Sequence, residues 1–433
     1  MYIKSIELHN FRCFEDLKVD FHPQCNVLVG RNGAGKSSVL DGLSIALGSY
    51  LNAIDGAVGN SIHQDDVHYR MYLNGSVVNR EQQFPSVITA EAYDSGNDKN
   101  TDLWWERSLN SSKGRTTVKT AKEISNYAKS MQERVRKGDA KVILPVIAYY
   151  GTGRLWAKKQ ERQKFRDKSP ESRLKGYQDC LLPTANERMM LDWFTKMTML
   201  RLQEEREIPE LSVVEGAMAD CYREVFPEAK RVSIRYSVKY GELEIQTISE
   251  NDEVEYLPLH LLSDGIRTIL NLVADIAYRM AVLNPGLLKE VLQKTSGVVL
   301  IDEIDMHLHP AWQKHILKDL CRVFPKVQFI VTTHAPSVLV NVPNDQIRVI
   351  DKHDVYTPMR KTYGRNIQAV MEELMGAKVR PEDILENIAG IDDAIDAGKL
   401  DEAENLLNKL RIRLGDDDQD VISAQIALNL EKM

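Results

Sequence analysis

Eight residues near the start of the chain have the composition and spacing of a phosphate-binding loop. Residues 30–37 read Gly-Arg-Asn-Gly-Ala-Gly-Lys-Ser, which has the form GxxxxGK[ST]. Glycines let successive backbone N–H groups turn toward phosphate oxygens, and the helix that follows adds the positive end of its dipole. The Lys36 ammonium suits the β- and γ-phosphates of ATP, and the Ser37 hydroxyl suits a Mg²⁺ ion. We therefore expect nucleotide contacts from Gly30, Asn32, Gly33, Gly35, Lys36, Ser37 and Ser38.

Two adjacent carboxylates follow an apolar run much later in the chain. The run 298–301 reads Val-Val-Leu-Ile and predicts a buried parallel strand, with Asp302 and Glu303 at its C-terminal end, where α/β sheets place their ligands. We expect Asp302 to hold Mg²⁺ and Glu303 to orient or deprotonate the attacking water. The alternative is a strand that ends in solvated acids, and the intact loop upstream disfavours it.

Two more segments carry polar groups at the ends of apolar elements. Leu-Ser-Asp-Gly at 262–265 opens a long apolar helix, and Ser263 with Gly265 at its start predicts an anion site, because free N–H groups and a hydroxyl face outward together. The run 329–333 predicts a buried strand that ends at His334. A lone histidine is usually structural, but this one lies one strand beyond the acidic pair and is placed to reach a γ-phosphate.

The order of these motifs resembles the head of ABC-type ATPases, and more narrowly its RecF and SMC-like branch. The opening segment 3–14 resembles the first strand of that branch, and 302–310 resembles its acidic and D-loop segment. Transporter heads carry Leu-Ser-Gly-Gly-Gln where this chain reads Leu-Ser-Asp-Gly-Ile-Arg, so a transport role is not expected. The resemblance implies an α/β fold, an ABC-ATPase head with antiparallel β and helical subdomains. A helical C-terminal tail follows it.

The resemblance also implies how the motifs act together. In such heads two protomers enclose two ATP molecules, each between Lys36 of one chain and the Ser263 motif of the other. Arg12 is similar to the family's arginine near the nucleotide, and Asp305 occupies the D-loop. Gln64 is a candidate for the glutamine that senses Mg²⁺, with an ordinary polar loop as the alternative. The segment 148–156, which contains two tyrosines and two glycines, resembles a turn near the nucleotide or the dimer face in defence-type members.

Composition limits the classes of protein. The chain has 433 residues, 43% of them hydrophobic and 27% charged, as in globular proteins. Its five cysteines are scattered and suggest reduced thiols rather than disulfides or zinc. No apolar run reaches the ~20 residues that a membrane span needs. A strand at the very start argues against a signal peptide, so we expect a cytoplasmic protein with no membrane contact.

Domain organisation follows from the motif positions. We expect an ATPase head over 1–350, with a β-rich insert at 61–150 and a mainly helical insert at 151–260 that ends in a β-hairpin. Residues 351–433 are expected to form a helical docking or oligomerisation tail; a simple cap on the ATPase sheet is the alternative.

One segment is strongly basic although the net charge of the chain is −7. Residues 154–175 could follow a nucleic-acid backbone with salt-sensitive affinity, or they could form a solvated helical face, and the sequence leaves both open. The basic side chains are Lys158, Lys159, Arg162, Lys164, Arg166, Lys168 and Arg173.

Within the branch, the chain most resembles ATPases of bacterial anti-phage systems, PtuA of Septu and the ATPases of retrons. In Septu a separate HNH-type nuclease cuts. The resemblance implies an ATPase that forms a homodimer or a higher homo-oligomer and regulates such a nuclease. The alternatives are a RecF-like repair ATPase acting on DNA ends, and a nucleotide-stabilised scaffold with little turnover.

Overall fold

The described part of the chain forms two compact units. A computed structural model describes all residues except 75–76, 96–99, 156–171, 183–186, 227, 352–353, 377–379 and 433. The units are Met1–Arg365 and Asn366–Met433. Most of the basic segment 154–175 lies outside the described residues, so its predicted contact with nucleic acid stays a prediction.

The strands are β1 (Tyr2–Phe11), β2 (Phe14–Asp20), β3 (Cys25–Val29), β4 (Tyr69–Asn74), β5 (Val77–Gln82), β6 (Ser86–Asp94), β7 (Thr101–Leu109), β8 (Val146–Tyr150), β9 (Arg231–Ser237), β10 (Glu242–Ile248), β11 (Val254–Pro258), β12 (Gly297–Ile301), β13 (Val327–Thr332), β14 (Ile347–Asp351) and β15 (Asp354–Tyr356). The α-helices are α1 (Lys36–Leu51), α2 (Lys122–Arg136), α3 (Glu187–Glu204), α4 (Pro209–Val225), α5 (Asp264–Leu283), α6 (Val291–Lys294), α7 (Pro310–Gln313), α8 (Ile316–Val323), α9 (Pro336–Leu339), α10 (Ile367–Met375), α11 (Glu382–Asp396), α12 (Leu400–Leu414) and α13 (Gln419–Glu431). Among the described residues, no helix has both the length and the apolar character that crossing a membrane requires.

A six-stranded sheet of order β15-β14-β3-β13-β12-β8 carries most of the residues predicted to bind ATP. Its strands from β14 to β8 pair in parallel, and only β15 runs antiparallel to its neighbour. Every residue of β3, β8, β12 and β13 is buried, as expected for parallel strands covered on both faces. Because the carboxyl ends of parallel strands meet at one edge, the segments after β3, β12 and β13 come together there.

Helix α1 lies between two sheets. It contacts β12 and β13 of the central sheet, and also β6 and β7 of an antiparallel sheet of order β2-β1-β6-β7. On that side, Trp105 and Arg107 of β7 donate hydrogen bonds to the carbonyls of Ala46 and Ile45. A helix covered on opposite sides must be apolar all round, which explains why every residue from Gly42 to Leu51 is buried. The β-rich segment 61–150 thus supplies β6 and β7 to the sheet that β1 and β2 begin.

Helix α5 contacts β8, α3 and α4. The strands predicted as a hairpin before it are β9 and β10, and a third strand, β11, completes an antiparallel sheet of order β11-β10-β9. Strand β11 leads directly to the start of α5, so this sheet fixes where that helix begins.

The second unit has its own apolar core. Helices α11, α12 and α13 enclose Ile391, Leu407, Leu410 and Leu428, which are at most 1% exposed. The apolar pattern of residues 391–398 predicts that the first of these helices starts at 391, but it begins at Glu382. The boundary between the units follows Arg365 rather than residue 350, because β15 still pairs with β14 of the central sheet.

Candidate ATP site

A pocket of about 820 Å³ opens at the carboxyl edge of the central sheet. It is lined by Arg12, Cys13, Asn32, Gly33, Gly35, Lys36, Ser37, Ser38, Asp302, Glu303, Asp305, Thr332 and His334. Residues from four separate parts of the sequence therefore meet at one cavity. Of the residues predicted from sequence, Gly30, Ser263, Gly265 and Gln64 are not in this lining.

The phosphate-binding loop has the backbone shape that its glycines permit. Gly35 caps α1 with φ +94°, and a Cβ there would lie 2.3 Å from the Phe14 ring, so only glycine fits. The Lys36 ammonium donates hydrogen bonds to the carbonyls of Gly30 (2.9 Å) and Arg31 (3.1 Å), inside the loop. Burial lowers the pKa of Lys36, and the carboxylates of the pocket act in the opposite direction. The ammonium is thus held at the centre of the loop.

The backbone of Asp302 joins two strands, and two hydroxyl groups fix its carboxylate. The Asp302 N–H donates to the Tyr150 carbonyl at 2.8 Å, which joins the end of β12 to β8. Its Oδ1 accepts hydrogen bonds from Thr332 Oγ1 at 2.6 Å and from Ser37 Oγ at 3.2 Å. Neighbouring oxygens of an octahedral Mg²⁺ site lie ~2.9 Å apart when each bond is ~2.05 Å. The Ser37 and Asp302 oxygens therefore fit adjacent positions around that ion.

The second carboxylate sits on a strained backbone. Glu303 has φ +47°, a region that non-glycine residues rarely adopt and that costs on the order of 1–3 kcal/mol. Its N–H donates to Thr332 Oγ1 at 2.7 Å, and the Ile304 N–H donates to the Thr332 carbonyl at 3.0 Å. Thr332 therefore holds both acids, and the sequence reasoning missed it. The one signal was its position in the strand directly before His334.

A second threonine organises the other side of the pocket. Thr333 Oγ1 donates to Asp305 Oδ1 at 2.6 Å, and the His334 N–H donates to the same oxygen at 3.3 Å. The His334 side chain is exposed and faces the pocket. The predicted D-loop acid and the predicted histidine are thus linked through the end of β13.

Arg12 enters the pocket from the turn between β1 and β2. Its guanidinium pairs with two carboxylates, Asp41 of α1 and Asp66, the latter at 2.9 Å. Its backbone has φ +52°, and its N–H donates to the Asp66 carbonyl at 2.6 Å. Neither Asp41 nor Asp66 was predicted as part of the site. Gln64 lies near this cluster, but its side-chain amide donates to the Ser112 carbonyl.

The Ser263 segment lies apart from the pocket. Ser263 caps α5 and is exposed, and among the described residues its hydroxyl accepts no capping hydrogen bond. Gly265 packs against the loop after Asp305, because a Cβ there would lie 2.3 Å from the His307 carbonyl oxygen. The start of α5 is therefore in backbone contact with the D-loop segment of the same chain.

One basic residue proposed for nucleic acid has a structural role instead. Arg173 donates hydrogen bonds to the carbonyls of Leu283 and Val142, and to Asn284 Oδ1. Its guanidinium therefore fixes the end of α5 within the head, and it is not available to a phosphate backbone.

Comparisons with known proteins agree with the geometry. The AAA domain model (AAA_23) matches residues 5–224, half of the chain. "Retron Vc95 probable ATPase" of Vibrio cholerae serotype O1 biovar El Tor is 24% identical, over 92% of this chain and 84% of its own length. "Septu protein PtuA" of Bacillus mycoides (strain KBAB4) is 25% identical, over 81% of this chain and 40% of its own length.

A solved structure has the same fold. An SMC head bound to the C-winged helix domain of ScpA superposes with a TM-score of 0.50 at 17% identity, covering 83% of this chain and 98% of that one. The α/β head predicted from the motif order is thereby confirmed. The chain belongs to the AAA domain family and is an ATPase whose head has the fold of an SMC head.

Proposed function

We propose that this chain binds and hydrolyses ATP in a head-to-head dimer, and that this dimer controls a separate nuclease in bacterial anti-phage defence. The observation that carries the proposal is the arrangement of anion sites. The pocket brings together the loop, both acids and His334, whereas the exposed Ser263 site lies outside it on the same head. A second copy would bring its Ser263 to the open side of the pocket.

Within one pocket, different residues bind the phosphates and the Mg²⁺ ion. Lys36 and the loop N–H groups would hold the β- and γ-phosphates, while Ser37 and Asp302 would hold Mg²⁺. The ion would neutralise charge on the phosphates and orient them. Thr332 keeps the Asp302 carboxylate turned toward Ser37. We expect this set of contacts to bind ATP within a single chain.

Hydrolysis requires a placed water. The backbone of Glu303 is held by Thr332, and its carboxylate faces the pocket, where it can orient or deprotonate that water. His334 stands one strand away and can donate a hydrogen bond to the γ-phosphate. Since the His334 backbone N–H donates to Asp305 Oδ1, a partner chain that touches the D-loop would also affect the position of His334.

The defence assignment is supported by the relatives. The match to an ATPase named for a retron covers 92% of this chain, and the match to Septu PtuA covers 81% of it. We therefore infer that its output passes through another protein, with an HNH-type nuclease as the partner. The C-terminal unit offers a docking surface, because Ile422, Ile426 and Leu430 are exposed at a helical spacing on α13.

The test is reconstitution of this chain with an HNH-type nuclease, the proposed partner. We expect the DNA cleavage rate of the pair to differ at least several-fold between ATP and ADP, and Lys36→Ala to abolish the difference. A DNA cleavage rate that is the same with ATP and with ADP, and the same for Lys36→Ala, would overturn the proposed control. DNA-stimulated ATP turnover without any effect on a nuclease would instead favour a RecF-like role in repair.

A further inference from the structure

Strand β8 ends in two tyrosines, Tyr149 and Tyr150, whose hydroxyls donate hydrogen bonds on opposite faces of the central sheet. Tyr149 donates a hydrogen bond to Asp41 Oδ1 on α1 at 2.9 Å, and Tyr150 donates to Asp275 Oδ2 on α5 at 2.6 Å. Successive side chains of a strand point to opposite faces, which places α1 and α5 on opposite sides of β8. Each phenol is therefore tied to a carboxylate of a different helix.

Tyr149 is connected to the nucleotide pocket through two residues. The other oxygen of Asp41, Oδ2, pairs with the Arg12 guanidinium, which also binds Asp66. Arg12 lines the pocket, whereas Tyr149 is 5% exposed and is not among the lining residues. The hydrogen-bonded route from Tyr149 to the pocket therefore runs through Asp41 and Arg12.

The charges of this cluster explain what the phenol contributes. Two carboxylates share one guanidinium, so the cluster carries one uncompensated negative charge beside a site for anionic phosphates. Burial, together with the nearby Asp41 and Asp302 carboxylates, raises the pKa of Tyr149, so the phenol remains a hydrogen-bond donor. Its O–H both offsets part of the charge on Asp41 and fixes which carboxylate oxygen faces Arg12.

We propose that Tyr149 is a positioning residue for nucleotide binding, which acts by orienting Asp41 and through it Arg12. The inference rests on the proposed function in one respect, namely that Arg12 contacts ATP. Without the phenol O–H, Asp41 can turn and hold Arg12 away from the phosphates, while its charge opposes them more strongly. Tyr149→Phe removes only that oxygen.

Tyr150 provides a matched control on the same strand. Its O–H also donates to a buried carboxylate, and that carboxylate pairs with Arg279, both side chains being 4% exposed. None of these three residues lines the nucleotide pocket. Tyr150→Phe therefore removes a comparable buried hydrogen bond, while Arg12 and the backbone carbonyl that accepts from the Asp302 N–H stay in place. It controls for a loss of stability alone.

The experiment measures the dissociation constant for a fluorescent ATP analogue on the full chain, together with the melting temperature of each variant. We expect Tyr149→Phe to weaken binding about 3- to 10-fold, the effect of losing one typical hydrogen bond. Tyr150→Phe should lower the melting temperature and leave the dissociation constant unchanged. In an Arg12→Gln background, the effect of Tyr149→Phe should be smaller, because only its influence on the charge of Asp41 remains.

Three results would overturn the inference: unchanged binding in Tyr149→Phe, an equal loss of binding in both tyrosine variants, or an undiminished effect in the Arg12→Gln background. Failure of the unmodified chain to bind the analogue would be a different result. It would contradict the proposed nucleotide site itself.

Discussion

At the scale of single residues, Thr332 is the side chain on which both pocket acids depend. Its hydroxyl donates to Asp302 and accepts from the Glu303 N–H, within 2.6 and 2.7 Å. Thr332→Val keeps the shape and removes both hydrogen bonds. Loss of a group that orients a metal ligand typically lowers activity about 10- to 100-fold. We expect a fall of that size in the ATP hydrolysis rate, measured as phosphate release, and partial recovery at high Mg²⁺ concentration.

A buried threonine elsewhere gives the matched control. Thr198 is 3% exposed, and its hydroxyl has no hydrogen-bond partner within the described residues. Thr198→Val should leave phosphate release unchanged. If Thr332→Val hydrolyses ATP at the unmodified rate at every Mg²⁺ concentration, the role given to Thr332 is wrong.

Much of the pocket lining could be predicted from the sequence, because local motifs carry it. The loop at 30–37 and the acids after β12 are each recognisable within a few adjacent residues. The supporting contacts could not be predicted in this way. Tyr149 and Asp41 are 108 positions apart, and Thr332 lies 30 positions from Asp302. No local pattern shows that such residues meet, since the pairing of β8, β12 and β13 decides it.

At the scale of elements, the start of α5 is fixed by a close approach of two backbones. A Cβ at Gly265 would lie 2.3 Å from the His307 carbonyl oxygen, so Gly265→Ala must shift either the helix or the D-loop segment. Overpacking of this kind costs about 1–3 kcal/mol. We expect a lower melting temperature and a loss of ATP-dependent assembly, measured by thermal denaturation and by light scattering.

Gly216 on α4 is the control, because nothing lies within 4 Å of a Cβ built there. Gly216→Ala should stabilise the chain by about 0.4–1 kcal/mol, as expected for a helical glycine in open space. Equal melting temperatures for the two variants would contradict the contact between α5 and the D-loop segment.

Elements with a strong local pattern were predicted well, and those without one were not. The apolar runs of β3, β12 and β13 and the alternating pattern of β6 identify strands in their correct places. Strand β11 was missed because its exposed residues show no apolar alternation, and it exists through its pairing with β10. The start of α11 was missed because its first turns carry few buried side chains.

At the scale of the whole molecule, the C-terminal unit has a core that does not depend on the nucleotide pocket. Leu407 of α12 is 1% exposed within that core, so Leu407→Ala should destabilise the unit by about 2–5 kcal/mol. Calorimetry should show a separate, lower unfolding transition for this unit, while the affinity for ATP stays unchanged. Ile412 lies on the same helix but is 85% exposed, and Ile412→Ala should shift neither quantity.

A single transition that moves together with a loss of ATP affinity would show that the two units fold as one.

The sequence predicted a helical tail, but it placed the boundary too early. The reason is that residues 354–356 form an edge strand too short to be recognised before its partner β14 is known.

The central claim is that ATP closes two heads around the pocket, and the molecular mass in solution tests it most directly. The mass should be measured with and without ATP and Mg²⁺, for the unmodified chain and for Glu303→Gln. We predict that the mass rises with ATP, and that Glu303→Gln holds the larger form because the bound ATP is not hydrolysed. A mass that is the same in every condition for both chains would contradict the account.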